Sequence, residues 1–347
     1  MKKILQINTQ PGWRGGERQT LYTVAGLQAA GQPTELLCRA GGELERRAQA
    51  EGLVTHGVSS HWGAMRWLMR HGHGYGLIHS QASKDQTASL LAWPLHRRPL
   101  VYTRRVDFVP KPGFSRWKYH RMDWVVAISP AIQRILQGIG LGDVPVIPSA
   151  VRPVQQDASR AAQYVAQLGF GGRRILGTTA ALVPHKDPLT AVRAFSRLHA
   201  QLPDVGFLHF GEGPLRPQVE AEIRRLGLEG AYHLGGYVRQ VEDFFTVLDG
   251  FVMSSVEEGL GSSLLDAFLY RVPVVATRAG GMEELVAGVG YQAPVQDPDA
   301  LAAAMQALLT DSAQTEEYVA AAQARVLALH SVEQVTRQYL ALYRTLV

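Results

Sequence analysis

Short apolar runs alternate along this chain with longer stretches in which apolar positions recur every three to four residues. Lys3–Asn8 (KILQIN) reads as a buried strand, and the glycine-rich turn Pro11-Gly12-Trp13-Arg14-Gly15-Gly16 follows it. Leu21, Val24, Leu27 and Ala30 then mark the face of an amphipathic helix that stops near Gly31. Further strands are predicted at Thr34–Cys38, Gly76–His79, Leu100–Thr103, Trp124–Ile128 and Val144–Ile147, with helical stretches between most of them. The proline-bounded connector Ile147–Pro153 and the polar segment Val154–Ser159 interrupt the pattern. It then restarts, with strands at Ile175–Thr179, Val205–Phe210, Ala231–Leu234, Gly250–Met253 and Val272–Thr277. Alternating βα units of this kind predict parallel sheets covered by helices on both faces. The expected architecture is two α/β domains, 1–155 and 156–347, with a cleft between them. A last helix at about Ser331–Leu346 is free to pack back on the first domain.

Composition narrows the class. With 347 residues, 46% hydrophobic and 19% charged, the chain has the make-up of a soluble two-domain protein. No apolar run reaches membrane-spanning length, and Met1-Lys2-Lys3 leads into a strand-like run and not a signal peptide. A single cysteine, Cys38, excludes an internal disulfide and a thiolate metal cluster, and a reducing cytoplasmic setting fits. Charge is uneven. Residues 1–155 carry 20 Lys and Arg against 9 Asp and Glu, whereas the remainder carries 15 against 21. The basic half is either an ordinary solvated surface or the side that meets an anionic partner.

The densest chemistry lies in Ser254–Glu284. Glu258 and Asp266 stand eight residues apart around Gly259-Leu260-Gly261, and Ser262 or Ser263 is the expected N-cap of a helix with Leu264, Leu265, Phe268 and Leu269 on its apolar face. Helical side chains lean toward the amino terminus, so Asp266 points back toward the glycine loop that Glu258 begins. Two carboxylates beside open backbone N–H groups suit a ligand that combines hydroxyls with phosphate. Lys186, in VPHKD directly after a strand, can neutralise a diphosphate at the carboxyl edge of a sheet. Gly15-Gly16 offers bare amides before the first helix, although G-x-G-x-x-G and Walker spacing are both absent. His79 admits three readings: general base, acceptor contact or satisfied strand-end histidine. The mixed aromatic and basic stretches Trp62–Arg70 and Arg116–Arg121 fit either an anionic membrane interface or a core face with snorkelling arginines. No histidine spacing suits a metal, and no nucleic-acid module is present.

Taken in order, Gly15-Gly16, VPHKD, FGEGPLR, LGGYV, SSVEEGLGSSLLDAF, VPVVAT and GGMEE resemble a family-4 retaining glycosyltransferase, the group 1 glycosyl transferases, over nearly all the chain. The resemblance implies a GT-B fold, two Rossmann-like domains with parallel sheets facing across a cleft. It implies that Glu258, Gly259, Leu260 and Gly261 hold the sugar and diphosphate of a nucleotide-sugar donor, and that Asp266 meets the ribose. Lys186 matches the diphosphate lysine, Gly16 the first-domain glycine loop and Val238 the region beside the base. Three positions depart from the family: Asp266 replaces a second Glu, Ala181 replaces an arginine, and Thr103-Arg104-Arg105 replaces Thr-x-His. Arg105, or Arg104, is expected to restore the missing charge.

The expected activity is transfer of a sugar from a nucleoside-diphosphate sugar, UDP-linked, to an acceptor hydroxyl, with retention and without metal or cofactor. Expected catalytic residues are Glu258, Lys186, Arg105 and His79. The basic first domain favours an anionic or lipid-linked glycan acceptor, such as a lipopolysaccharide core, with peripheral contact at the inner membrane face as an added option. The rivals are a sugar-nucleotide epimerase or hydrolase on the same fold, and a catalytically silent nucleotide- or glycan-binding protein.

Overall fold

Twelve strands carry the structure, a computed structural model that describes residues 2–346; Met1 and Val347, the outer ends of the two predicted domains, lie outside them. In chain order they are β1 (Ile4–Asn8), β2 (Thr34–Arg39), β3 (Thr55–Val58), β4 (Leu77–Ser80), β5 (Leu100–Arg104) and β6 (Trp124–Ala127). After the connector come β7 (Arg174–Thr179), β8 (Val205–Phe210), β9 (Tyr232–Gly236), β10 (Gly250–Met253), β11 (Val274–Thr277) and β12 (Tyr291–Ala293). The first six form one sheet in the order β3-β2-β1-β4-β5-β6, and the second six repeat it as β9-β8-β7-β10-β11-β12. Every pairing is parallel. Each sheet is therefore a Rossmann-like doubly wound sheet, whose strand order reverses between β1 and β4 in one and between β7 and β10 in the other.

Three expectations are corrected. Val144–Ile147 is no strand, because Pro145 has no N–H to continue a ladder, and only an isolated bridge from Ala127 to Val146 forms. The edge strands β3 and β12 escape the periodic pattern. They are four and three residues long, and neither is buried on both faces. The helix after the glycine loop is capped by Gly261 at φ +83°, with Ser262 already its first residue.

Two compact units result. One runs up to Arg152 and resumes at Leu329; the other is Pro153–Ala328. The sequence division at 155 thus shifts to Arg152, and the final segment moves to the first unit. The helix Val332–Arg344 places Val335, Tyr339, Leu342 and Tyr343 among Ile4, Leu27, Leu77 and Val101, and so helps to build the first core. In the second unit Phe195, Phe207, Tyr232, Leu301 and Met305 lie in the core around Leu176 and Val252. Cys38 is buried, and desolvation pushes its thiol up to about 12, the behaviour of an inert core residue. Among the described residues, no helix is long and apolar enough to cross a membrane.

Candidate functional site

Open α/β sheets hold ligands at the carboxyl ends of their strands, where the strand order reverses. In the second unit that point lies between the loops after β7 and β10. Lys186 ends the short 3₁₀ turn Pro184–Lys186 on the first loop, and Glu258 stands on the second. The two are ion-paired through Nζ and Oε2, with side chains only 19% and 16% exposed. Backbone and hydroxyl bonds stitch the loops together. Val256 N–H donates to the His185 carbonyl (2.9 Å), and the Ser254 hydroxyl donates to the carbonyls of Lys186 (3.0 Å) and Asp187 (2.8 Å). Asp187 turns the chain at φ +43° and caps the next helix by accepting from Thr190 N–H. Lys186 is therefore held by a strained residue, a cap and a neighbouring strand end.

Three glycines of this unit serve close approach. A Cβ at Gly281 would overlap the Gly259 carbonyl, and Gly281 N–H donates to the Glu258 carbonyl at 2.8 Å. Cβ atoms at Gly211 and Gly213 would overlap the Ala180 and Leu182 carbonyls. His209 supports the same edge from below. It is buried, with Nε2 3.0 Å from the Ala180 carbonyl and Nδ1 2.9 Å from the Tyr232 hydroxyl, and desolvation brings it down to about 4. Leu260 buries its side chain, so only its backbone faces the loop. Asp266 is partly buried at the fifth position of the helix Ser262–Leu269. Val238 follows β9 and packs against the cluster around Phe210 and Phe244.

In the first unit Gly15 and Gly16 open the helix Gly15–Ala29, whose start is fixed by Arg14 N–H donating to Glu17 (2.9 Å). Arg105 runs past it, its Cδ 4.0 Å from where a Gly16 Cβ would lie. Burial lowers the Arg105 pKa, opposed by nearby Tyr339 and Glu17, and its Nε has no partner among the described residues. Arg104 points away, bonded to the Tyr119 hydroxyl and the Phe108 carbonyl. Arg104 ends β5 and Arg105 follows it; their side chains leave the chain on opposite sides, and Arg105 is the one aimed at the glycine turn.

His79 has no ring nitrogen left for a substrate, which corrects its place among the catalytic candidates. It is fully buried, with Nδ1 2.6 Å from the Tyr343 hydroxyl and Nε2 2.8 Å from Thr103 Oγ1. Desolvation, with Arg105 nearby, brings it down to about 3. Its network continues from Thr103 to Tyr339 (3.0 Å), and from Gln6 Nε2 to Tyr343 (2.9 Å). Gln81 Nε2 donates to Gln6 (2.9 Å), and its Oε1 accepts from Arg105 Nη2 (2.7 Å). Sequence reasoning missed Gln81 as the holder of Arg105, although it lies two residues beyond His79 and so shares its side of β4.

The aromatic and basic stretches divide. On the helix His61–His71, Ala64 and Leu68 are buried and Met65, Trp67 and Met69 pack beside them, while Trp62 and both arginines are exposed. On Phe114–His120 the rings of Phe114 and Trp117 stack at 5.5 Å and stay exposed. Arg121 sits over Trp117, and Lys118 turns inward to Ser83 and Thr87.

Residues 13–155 match the family described as "Glycosyltransferase Family 4", and residues 173–311 match "Glycosyl transferases group 1". The chain is 28% identical over 201 residues to the 2-deoxystreptamine glucosyltransferase of Streptomyces kanamyceticus, covering 55% of this chain and 52% of that one. It is 27% identical over 145 residues to the lipopolysaccharide core biosynthesis glycosyltransferase LpsE of Rhizobium meliloti, covering 41% and 43%. In these alignments the chain spans about half the length of each relative. The fold matches Anabaena Alr3699/HepE, solved in complex with UDP-glucose, with a TM-score of 0.87 at 22% identity over 100% of both chains.

Proposed function

The chain belongs to the family 4, group 1 glycosyltransferases of GT-B fold, and from that premise we propose that it moves a sugar from a UDP-sugar to a hydroxyl of an anionic or lipid-linked glycan, with retention at the anomeric carbon. The observation that carries the reading is the Lys186–Glu258 pair at the strand reversal of the second unit, beside the Gly259–Gly261 loop. The donor diphosphate would compete for the Lys186 ammonium and so free Glu258 to accept hydrogen bonds from sugar hydroxyls. As the anomeric bond breaks, negative charge grows on the departing phosphate, and fixed cations and amides stabilise that charge most. Lys186 and the loop amides supply it, which assigns the phosphate charge to protein groups. In this reading Asp266 meets the ribose and Val238 the region of the base. In the first unit Gly15, Gly16 and Arg105 make a second anion-binding element for a phosphate group.

The acceptor class rests on the basic first unit, on the exposed Phe114–Trp117 pair with Arg116 and Arg121 beside it, and on the lipopolysaccharide relative. The same surface supports peripheral contact with the inner face of a membrane. Thermal shift with UDP, GDP and ADP tests the donor site, with selective stabilisation by UDP expected. Lys186→Ala should abolish that shift and lower kcat by about a hundredfold or more. A wild-type protein indifferent to all three nucleotides, or one that epimerises UDP-sugars without acceptor, overturns the reading.

A further inference from the structure

The strand reversal of the first sheet carries a second constellation, built from three residues that are far apart in sequence. Thr9 directly follows β1, Asp85 lies in the first turn of the helix Ser83–His96 after β4, and His61 opens the helix His61–His71 after β3. Asp85 is fully buried. Its Oδ2 accepts Thr9 N–H at 3.2 Å, and its Oδ1 accepts the Thr9 hydroxyl at 2.5 Å. Thr9 has one hydroxyl hydrogen, and the carboxylate takes it. The 2.6 Å contact between Thr9 Oγ1 and His61 Nδ1 must therefore be donated by the ring. Asp85 Oδ1 lies 3.4 Å from the same nitrogen, so both of its neighbours are acceptors.

A neutral imidazole has one N–H, so fixing it at Nδ1 leaves Nε2 with its lone pair. That atom has no hydrogen-bond partner among the described residues, and the His61 side chain is 29% exposed. We propose that His61 Nε2 accepts a hydrogen bond from a hydroxyl of the glycan acceptor, with Thr9 and Asp85 as positioning residues that hold the ring and its tautomer. An acceptor atom repels phosphate oxygens and attracts an O–H, so the group met here is a hydroxyl and not a phosphate. This rests on the reading of the chain as a transferase to a hydroxyl. The arrangement has the logic of a base oriented by a third group, with the threonine hydroxyl between carboxylate and ring.

The test uses the full chain labelled with ¹⁵N-histidine. Long-range ¹H–¹⁵N spectra in alkaline buffer should show His61 protonated at Nδ1 and bare at Nε2. Thr9→Val should weaken that preference, since only Asp85 Oδ1 at 3.4 Å is left to accept from Nδ1, and titration with methyl glycosides of glucose, mannose and N-acetylglucosamine should move the Nε2 resonance. His61→Ala should weaken glycoside binding about tenfold, the cost of one hydrogen bond, while leaving the thermal shift by UDP intact. A wild-type ring protonated at Nε2, or an Nε2 resonance unmoved by any glycoside, overturns the proposal. Should His61→Ala fail to fold, Thr9→Val and the wild-type titration still decide. Absence of a UDP shift in the wild type sinks the donor reading instead, whatever His61 does.

Discussion

At Gly281 the tolerance of the molecule is less than one methyl group. Because a Cβ there overlaps the Gly259 carbonyl, Gly281→Ala must move the loop that carries Glu258. We expect a loss of about 1–3 kcal/mol, the usual cost of overpacking, together with a smaller UDP thermal shift. Gly171→Ala, which meets nothing within 4 Å, is the matched control and should melt like the wild type. Equal melting of the two variants would remove the steric account. At this scale the sequence showed the second-unit site well, because Lys186 and Glu258–Gly261 sit in short contiguous segments after strands. It set Arg105 before Arg104 on chemistry alone, and the opposite directions of the two side chains supply the geometric reason. It could not show His61, Thr9 and Asp85 together, because 52 and 76 residues separate His61 and Asp85 from Thr9, and only the parallel topology joins them.

The element that matters most to the first unit is the helix Val332–Arg344. Its two tyrosines bond His79 and Thr103, whose strands lie side by side, and through Gln6 and Gln81 they reach Arg105. Buried neutral histidines make such an element sensitive to acid. His79 is lowered to about 3 and His209, in the other unit, to about 4, from an ordinary value near 6.5. A depressed histidine gives stability that is full above about 6.5 and is lost as pH falls toward the folded value, because the unfolded chain binds the proton first. Between about pH 7 and about pH 5 each should cost about 2 kcal/mol. Urea midpoints at the two pH values check this, and a flat profile contradicts it. Periodicity announced this helix and most strands, but misjudged Val144–Ile147 because valine and isoleucine outweighed Pro145. It passed over β3 and β12, since short edge strands bury too little to leave a pattern.

At the scale of the whole molecule, two sheets of identical strand order rest on cores of different continuity. The second core draws only on Pro153–Ala328, whereas the first needs both ends of the chain. A fragment of residues 153–328 should fold by itself, while 1–152 should not until a peptide of residues 329–347 is added. Circular dichroism and limited proteolysis of the fragments decide this, and a stably folded 1–152 fragment would refute it. The repeat of βα units was evident in the sequence; the loan of the last helix was only an option there, because an amphipathic stripe does not say which core it will cover. That loan also reverses the usual order of events on the ribosome. Domains generally mature from the amino terminus as they are synthesised. Here the first half emerges with Ile4, Leu27 and Leu77 uncovered, and it must wait through the birth and folding of its neighbour before the closing helix arrives. Chaperones that shield nascent chains should therefore hold this protein by its amino-terminal half until residues 332–344 have emerged.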